Sequence, residues 1–245
     1  MAPISYENPL PWVRSYLCMG PRRAERLRSR FGVHGAAVGP YIQYARTVLL
    51  KEREAELRRE LGRTLLVIPA HTVVNVERRW SAERLIALIQ AHAIEEGYDT
   101  VIWQTFWKDA PPMGLPPEWI LACNGHASNP WFLDCQRTLL ELCDGMVACS
   151  LGTHVGYAFS LNRPVLFAPV EIRQDVSAAS ALWQERYSSE WKERSRLMDA
   201  IGVVPQLETL QMLDPARARR ALDPYFGFDL HLEPAQLARL LLGEA

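Results

Sequence analysis

The sequence predicts an α/β protein built on a doubly wound parallel sheet. Short runs that are almost wholly apolar (64–69, 99–104, 119–123, 146–149 and 165–167) alternate with longer stretches whose apolar residues recur at helical spacing. Those runs lack the in–out alternation of half-exposed strands, which implies a sheet covered on both faces. Residues 145–168, GMVACSLGTHVGYAFSLNRPVLFA, then read as strand, small-residue turn, helix and strand in direct succession.

Taken in order, residues 1–15 carry Pro3, Pro9 and Pro11 and form an irregular lead-in. Residues 16–19 predict a short strand, 22–31 a basic helix, and 36–38 an apolar run stopped by Gly39-Pro40. Residues 41–61 read as one highly charged helix closed by Gly62, a C-cap signal. The strand at 64–69 precedes a helix over 81–96, with Ser81 as N-cap and Gly97 beyond its end. The strand at 99–104 passes through a proline-rich loop (Pro111, Pro112, Pro116, Pro117) to a third strand at 119–123. A helix over 130–143, the strand at 146–149, a helix over 155–161 and the strand at 165–167 complete a five-strand sheet. Beyond Pro169 the pattern is helical only, at 175–201, 206–222 and 234–242. The chain thus divides into a short N-terminal α/β segment with a linker helix (1–62), a Rossmann-like domain (63–170) and a helical C-terminal region packing back on it (171–245).

Composition narrows the function. Of 245 residues, 49% are hydrophobic and 22% charged, and the formal net charge is -1, so nothing in the overall charge favours nucleic acid as a partner. No segment approaches the roughly 18 uninterrupted apolar residues of a membrane span, and the N-terminus lacks the apolar core of a signal peptide. The five cysteines (Cys18, Cys123, Cys135, Cys143, Cys149) form no CxxC pair. They read as buried free thiols of a reducing compartment. The expected location is the cytoplasm, with peripheral contact at the inner membrane face left open for the basic helix 22–30.

In open parallel sheets, ligands bind outside the carboxyl ends of the strands. Those ends carry Ala70, His71 and Thr72 after the first strand, and Thr105, Trp107, Lys108 and Asp109 after the second. The third gives Asn124, Gly125, His126 and Ser128, the fourth Ser150, Gly152, Thr153 and His154, and the fifth Pro169 and Glu171. Three of the six histidines fall on this edge. Ser150, Gly152 and Thr153 open a helix whose uncrowded N–H groups and dipole favour an anion, most simply a phosphate or diphosphate. His154, in the first helical turn, is placed to donate to phosphate or ribose. His71 and His126 follow strands directly, where a base or ribose lies. Tyr157, one turn beyond Thr153, serves either the core or the ligand. Lys108 either neutralises a phosphate or is solvated; Arg78 and Arg79 read as an exposed basic loop, and Trp103 and Trp107 as packing residues.

Competing chemistries lack their signatures. No GxGxxG follows the first strand, no GxxxxGK[ST] occurs, and Ser150 lies in CSLGT rather than in a GxSxG elbow. The three edge histidines come from separate loops without paired ligand spacing, so no metal and no cofactor is expected.

The strand ending in S-x-G-T-H, followed by a helix and N-R-P-V, resembles the C-terminal nucleotide-sugar-binding lobe of GT-B glycosyltransferases. GPYIQYA (39–45), LLVIPAHT (65–72), GYDTVIWQTFWKD (97–109), GHASNPWFL (125–133), ACSLGTHVGYA (148–158) and DPYFGF (223–228) resemble bacterial surface-polysaccharide glycosyltransferase-like proteins over roughly 16–245. The resemblance implies metal-independent transfer from a nucleotide sugar (a CMP, UDP, GDP or CDP derivative) to a glycan or lipid-linked glycan acceptor. His126, Ser150, Thr153 and His154 would contact nucleotide and phosphates, and His71, the candidate catalytic residue, would face the inter-lobe cleft. The sequence departs from the family in having only about 60 residues before the nucleotide lobe, where GT-B enzymes carry a full acceptor lobe. That departure also admits a non-catalytic nucleotide-sugar binding module working with a partner chain or as a homodimer. An epimerase or hydrolase on the same lobe is a third reading.

Overall fold

The computed structural model describes residues 13, 15–71, 77–126, 128–175, 177, 181–204 and 208–242. In chain order the elements are β1 (Ser15–Cys18), α1 (Pro21–Phe31), β2 (His34–Ala37), a 3-10 turn (Tyr41–Tyr44), α2 (Lys51–Leu61), β3 (Thr64–Ile68), β4 (Glu77–Arg79) and α3 (Ala82–Glu96). They continue with β5 (Thr100–Gln104), β6 (Ile120–Ala122), α4 (Phe132–Leu142), β7 (Gly145–Ala148), α5 (Thr153–Ser160) and β8 (Val165–Phe167). The chain then runs through β9 (Arg173–Asp175), α6 (Ala181–Ile201), β10 (Gln211–Met212), α7 (Pro215–Phe226) and α8 (Pro234–Leu242).

The main sheet has the spatial order β10-β8-β7-β3-β5-β6. Every pairing in it is parallel except β10 on β8. From β3 the chain winds outward through β5 and β6, then returns to the other side of β3 through β7 and β8. That reversal defines a doubly wound, Rossmann-type α/β protein with its topological switch point between β3 and β7. All five residues of β3 are buried because the sheet is covered twice. Leu66 and Ile68 face a core shared with α4, α5 and α7, whereas Leu65 and Val67 face a second core shared with α3. Local chemistry sets the ends of the helices: the Ser81 hydroxyl accepts from the Arg84 N–H to start α3, and left-handed Gly97 (φ 68) closes it.

Several expectations are corrected. The segment 41–61 is not one helix: side chains of α4 claim its backbone between the 3-10 turn and α2. The Arg46 N–H donates to Asp134 (2.7 Å), the Val48 N–H to Thr138 (2.9 Å), and Arg137 donates to the Ala45 carbonyl (3.0 Å). Arg78 and Arg79 belong to a strand, β4, which pairs antiparallel with β9. Beyond Pro169 the chain is not helical only. It makes β9, and β10 returns to the main sheet as a sixth strand inside the expected helix 206–222, so that α7 starts at Pro215 behind an Asp214 cap; of that expected helix, residues 206 and 207 lie outside the described residues, as does nearly all of the lead-in.

The N-terminal β1–α1–β2 unit pairs its own two strands in parallel and leans on the C-terminal helices. Arg22 and Arg26 of the basic helix both reach Glu193 of α6 (3.0 and 3.9 Å), which also accepts from the Tyr225 hydroxyl. Among the described residues, no helix is long and apolar enough to cross a membrane.

Candidate functional site at the switch point

The carboxyl ends of β3 and β7 lie side by side, with Val67 opposite Val147 and Ile68 opposite Ala148. Just beyond them the Ala70 N–H donates to the Cys149 sulfur (2.9 Å), so the two loops leave the sheet joined. Burial pushes the Cys149 thiol up to about 12, so it stays protonated in that bond. The switch point is therefore held by a neutral contact, and the residues after it project outward.

Ser150, Gly152, Thr153 and His154 follow on the β7 side, all part-exposed. Gly152 rather than Thr153 occupies the N-cap position, and no side chain caps α5. The Val155 N–H already donates to the Gly152 carbonyl (3.2 Å), but with no side-chain oxygen capping the helix the N–H groups of Thr153 and His154 keep their capacity for an external acceptor. Gly152 is extended (φ -134), so its smallness serves space rather than backbone freedom. A Cβ there would fall 2.7 Å from His154 Cε1 and 2.8 Å from Nδ1. The imidazole folds back over the turn, into the room that the missing side chain leaves.

His154 is the unusual group. Among the described residues its Nε2 is buried without a hydrogen-bond partner. Part of the ring remains accessible while this nitrogen is enclosed. Burial first, and then the nearby His71, hold the imidazole down to about 3, against a weaker opposing hydrogen bond with the Ser150 backbone. The ring is thus neutral at physiological pH and presents an unused polar atom beside an uncapped helix N-terminus. Burying such an atom unpaired costs about 1–3 kcal/mol, a penalty that a ligand accepting from or donating to it would relieve.

His71, at the end of β3, stacks on Phe106 (4.5 Å between centroids), and its carbonyl accepts from Arg78 of β4 (3.2 Å). Phe106 meets Trp107 at 5.9 Å, and Trp107 meets His126 edge-on at 4.5 Å. This row of rings runs along the edge from the switch point to the end of β6. Lys108 lies near its outer end, its ammonium 4.8 Å from the Trp107 centroid. Trp103 is a packing residue at 1% exposure, but Trp107 is not: it is 42% exposed. An aromatic pair directly after a strand, TFWKD, was the sequence signal for this row.

His126 is exposed, and its Nδ1 accepts from the Ser128 N–H (3.0 Å). Gly125 holds the left-handed turn before it (φ 79), where a Cβ would meet the Asn129 amide at 2.9 Å. The loop rests on a buried amide cluster. Gln104 and Asn124 both donate to the Gln136 carbonyl oxygen (2.8 and 2.9 Å), and the Gln136 amide donates back to Gln104 (3.2 Å).

The structure thus gathers His71, Ser150, Gly152, Thr153 and His154 at the switch point and sets Lys108, Gly125 and His126 at the β5/β6 end. Tyr157 goes to the core: it is 6% exposed and packs edge-on to Phe226. Thr72 lies outside the described residues. Of the cysteines expected to be buried, Cys123 is exposed and Cys135 partly so. Among the described residues, no group of three or more His, Cys, Asp or Glu side chains is placed to hold a metal ion.

No protein-family model matches the chain, and no curated protein matches it by sequence. Among solved structures it is similar to the glycosyltransferase SnogD from Streptomyces nogalater, at 14% identity and a TM-score of 0.41, over 91% of this chain and 62% of that one. It is also similar to Phytolacca americana UGT2 complexed with UDP-2fluoro-glucose and pterostilbene, at 13% identity and a TM-score of 0.36, over 95% of this chain and 47% of that one. The apo form of UGT2 matches at 13% identity and a TM-score of 0.35, over 95% and 50% of the two chains. The chain spans about half to three-fifths of the length of these structures.

Proposed function

We propose that the chain binds a nucleotide sugar across the switch point and acts as a metal-independent glycosyltransferase. The observation that carries this reading is the buried, unpartnered Nε2 of His154 beside the uncapped N-terminus of α5. The helix N-terminus offers N–H donors and a positive dipole end to a diphosphate, and the neutral imidazole, whose other ring N–H is held by the Ser150 backbone, offers its Nε2 lone pair to a hydroxyl of the nucleotide. In the transfer step the bond between the anomeric carbon and the phosphate oxygen breaks, and its electron pair stays on the phosphate. A bond forms from an acceptor hydroxyl to the anomeric carbon, and the hydroxyl proton passes to a base, for which His71 is the candidate. Charge on the leaving phosphate grows towards the transition state, so donors at Thr153 and His154 lower the barrier differentially. The surface-polysaccharide setting, with a glycan or lipid-linked glycan acceptor, follows from the resemblance of the six segments.

Calorimetric titration with CMP, UDP, GDP and CDP, with and without EDTA, tests this reading. Saturable binding of one nucleotide, indifferent to EDTA and weakened several-fold in His154→Ala, is the expected result. Binding unaffected by His154→Ala, or no binding to any of the four, overturns it.

A further inference from the structure

A second concavity adjoins the switch point from the other side. A cavity of about 440 Å³ lies between the carboxyl ends of β7 and β8 and the second half of α6. Its walls include Leu151, Phe167, Val170, Met198 and Val203, all buried or half-buried, and exposed Trp191 also borders it. None of His71, Lys108, His126 and His154 lines it. It lies outside the aromatic row and meets the phosphate turn only at Ser150.

We infer that this cavity is a binding site for a neutral, largely hydrocarbon ring compound, separate from the anion site. Its volume falls within the range of small-molecule pockets, about 300–1,000 Å³. Its walls are core-type side chains, Leu151, Phe167 and Val203 of one packed cluster and Val170 of the other, whose outer faces border the space, and water against such a wall finds few partners. A ligand that displaces this water gains apolar burial at about 25 cal/mol per Å². The charged groups at the lining are two arginines, Arg84 and Arg194, and two glutamates, Glu171 and Glu208. Two of each sign cancel formally, so the charged groups of the lining carry no net charge. Ser150 and Ser195 supply hydroxyls for a single polar substituent on the ligand. Because Ser150 also opens the phosphate turn, the two sites share a border.

Calorimetric titration with 2-naphthol, cellotriose and UMP as probes tests the assignment. It uses the parent chain, two cavity-filling variants (Met198→Trp and Ser195→Phe) and His154→Leu, each checked for folding by thermal unfolding. The expected result is saturable 2-naphthol binding, weakened at least tenfold by whichever filling variant folds, and unchanged in His154→Leu. Cellotriose does not compete with it, and UMP does not displace it. Absent 2-naphthol binding, equal binding to a folded filling variant, or displacement by UMP overturns the inference. Absence of nucleotide binding to the parent chain, with 2-naphthol binding retained, would instead refute the sugar-nucleotide reading and leave the cavity assignment standing.

Discussion

Replacing His154 with leucine separates its ligand role from its structural one. Two opposing quantities decide the stability change. Leucine removes a buried, unpaired Nε2, which relieves about 1–3 kcal/mol. It also removes the hydrogen bond with the Ser150 backbone, which costs about 0.5–1.5 kcal/mol. The balance lies between about -0.5 and +2.5 kcal/mol in favour of the variant. For a chain of this size that corresponds to a change in Tm between a fall of about 2 °C and a rise of about 10 °C. The ligand balance runs the other way. A hydrogen bond that a nucleotide hydroxyl donates to Nε2 contributes about 0.5–1.5 kcal/mol, so nucleotide affinity should fall by about twofold to tenfold. Thermal unfolding without ligand, paired with calorimetric titration, reads both. A variant that unfolds more than about 5 °C below the parent while binding nucleotide equally well would mean that the imidazole is a packing group, and the reasoning would fail.

The same ring predicts a pH signature. Its folded-state pKa, about 3, lies below the 6.5 of an unperturbed imidazole, so in that window the unfolded chain binds a proton that the native chain excludes. Stability from this group is fully present above about pH 6.5 and is lost as pH falls towards 3, by at most about 1.4 kcal/mol per unit. Denaturant midpoints should therefore decline more steeply on acidification in the parent than in His154→Leu; parallel curves would refute the neutral buried state. Gly152→Ala places a methyl 2.7 Å from the ring and should weaken nucleotide binding several-fold. The double variant with His154→Leu should bind no worse than His154→Leu alone, and additive losses would show that Gly152 acts independently of His154. Gln136→Leu strands the amides of Gln104 and Asn124, for an expected loss of about 2–4 kcal/mol; an unchanged urea midpoint would show that the cluster does not hold the β6 edge.

The sheet was legible because its strands are buried on both faces. Burial on both sides demands nearly continuous apolar runs such as TLLVI at 64–68 and GMVA at 145–148, and a run of that kind announces itself without knowledge of its partners. The turn GTH was legible for a similar local reason, since small residues before a helix leave its N-terminus open. Elements decided by remote partners were not. Residues 45–50 carry no local signal against a helix, and only Asp134, Arg137 and Thr138 of α4 draw their backbone away from one. The two residues of β10 form a strand because the edge of β8 is there to receive them.

The same division runs through the site. By itself the sequence determined the fold class, the strand edge proposed for ligands and the identity of the polar residues along it, because periodicity and turn chemistry act over a few residues. Only the tertiary structure decided which of those residues share a centre. It brought His154 back over Gly152 and close to His71, sent Tyr157 into the core and exposed Trp107. It also opened a cavity between strand ends and α6 that no single segment encodes. Strand order and helix packing, which set these distances, arise from contacts between residues tens of positions apart.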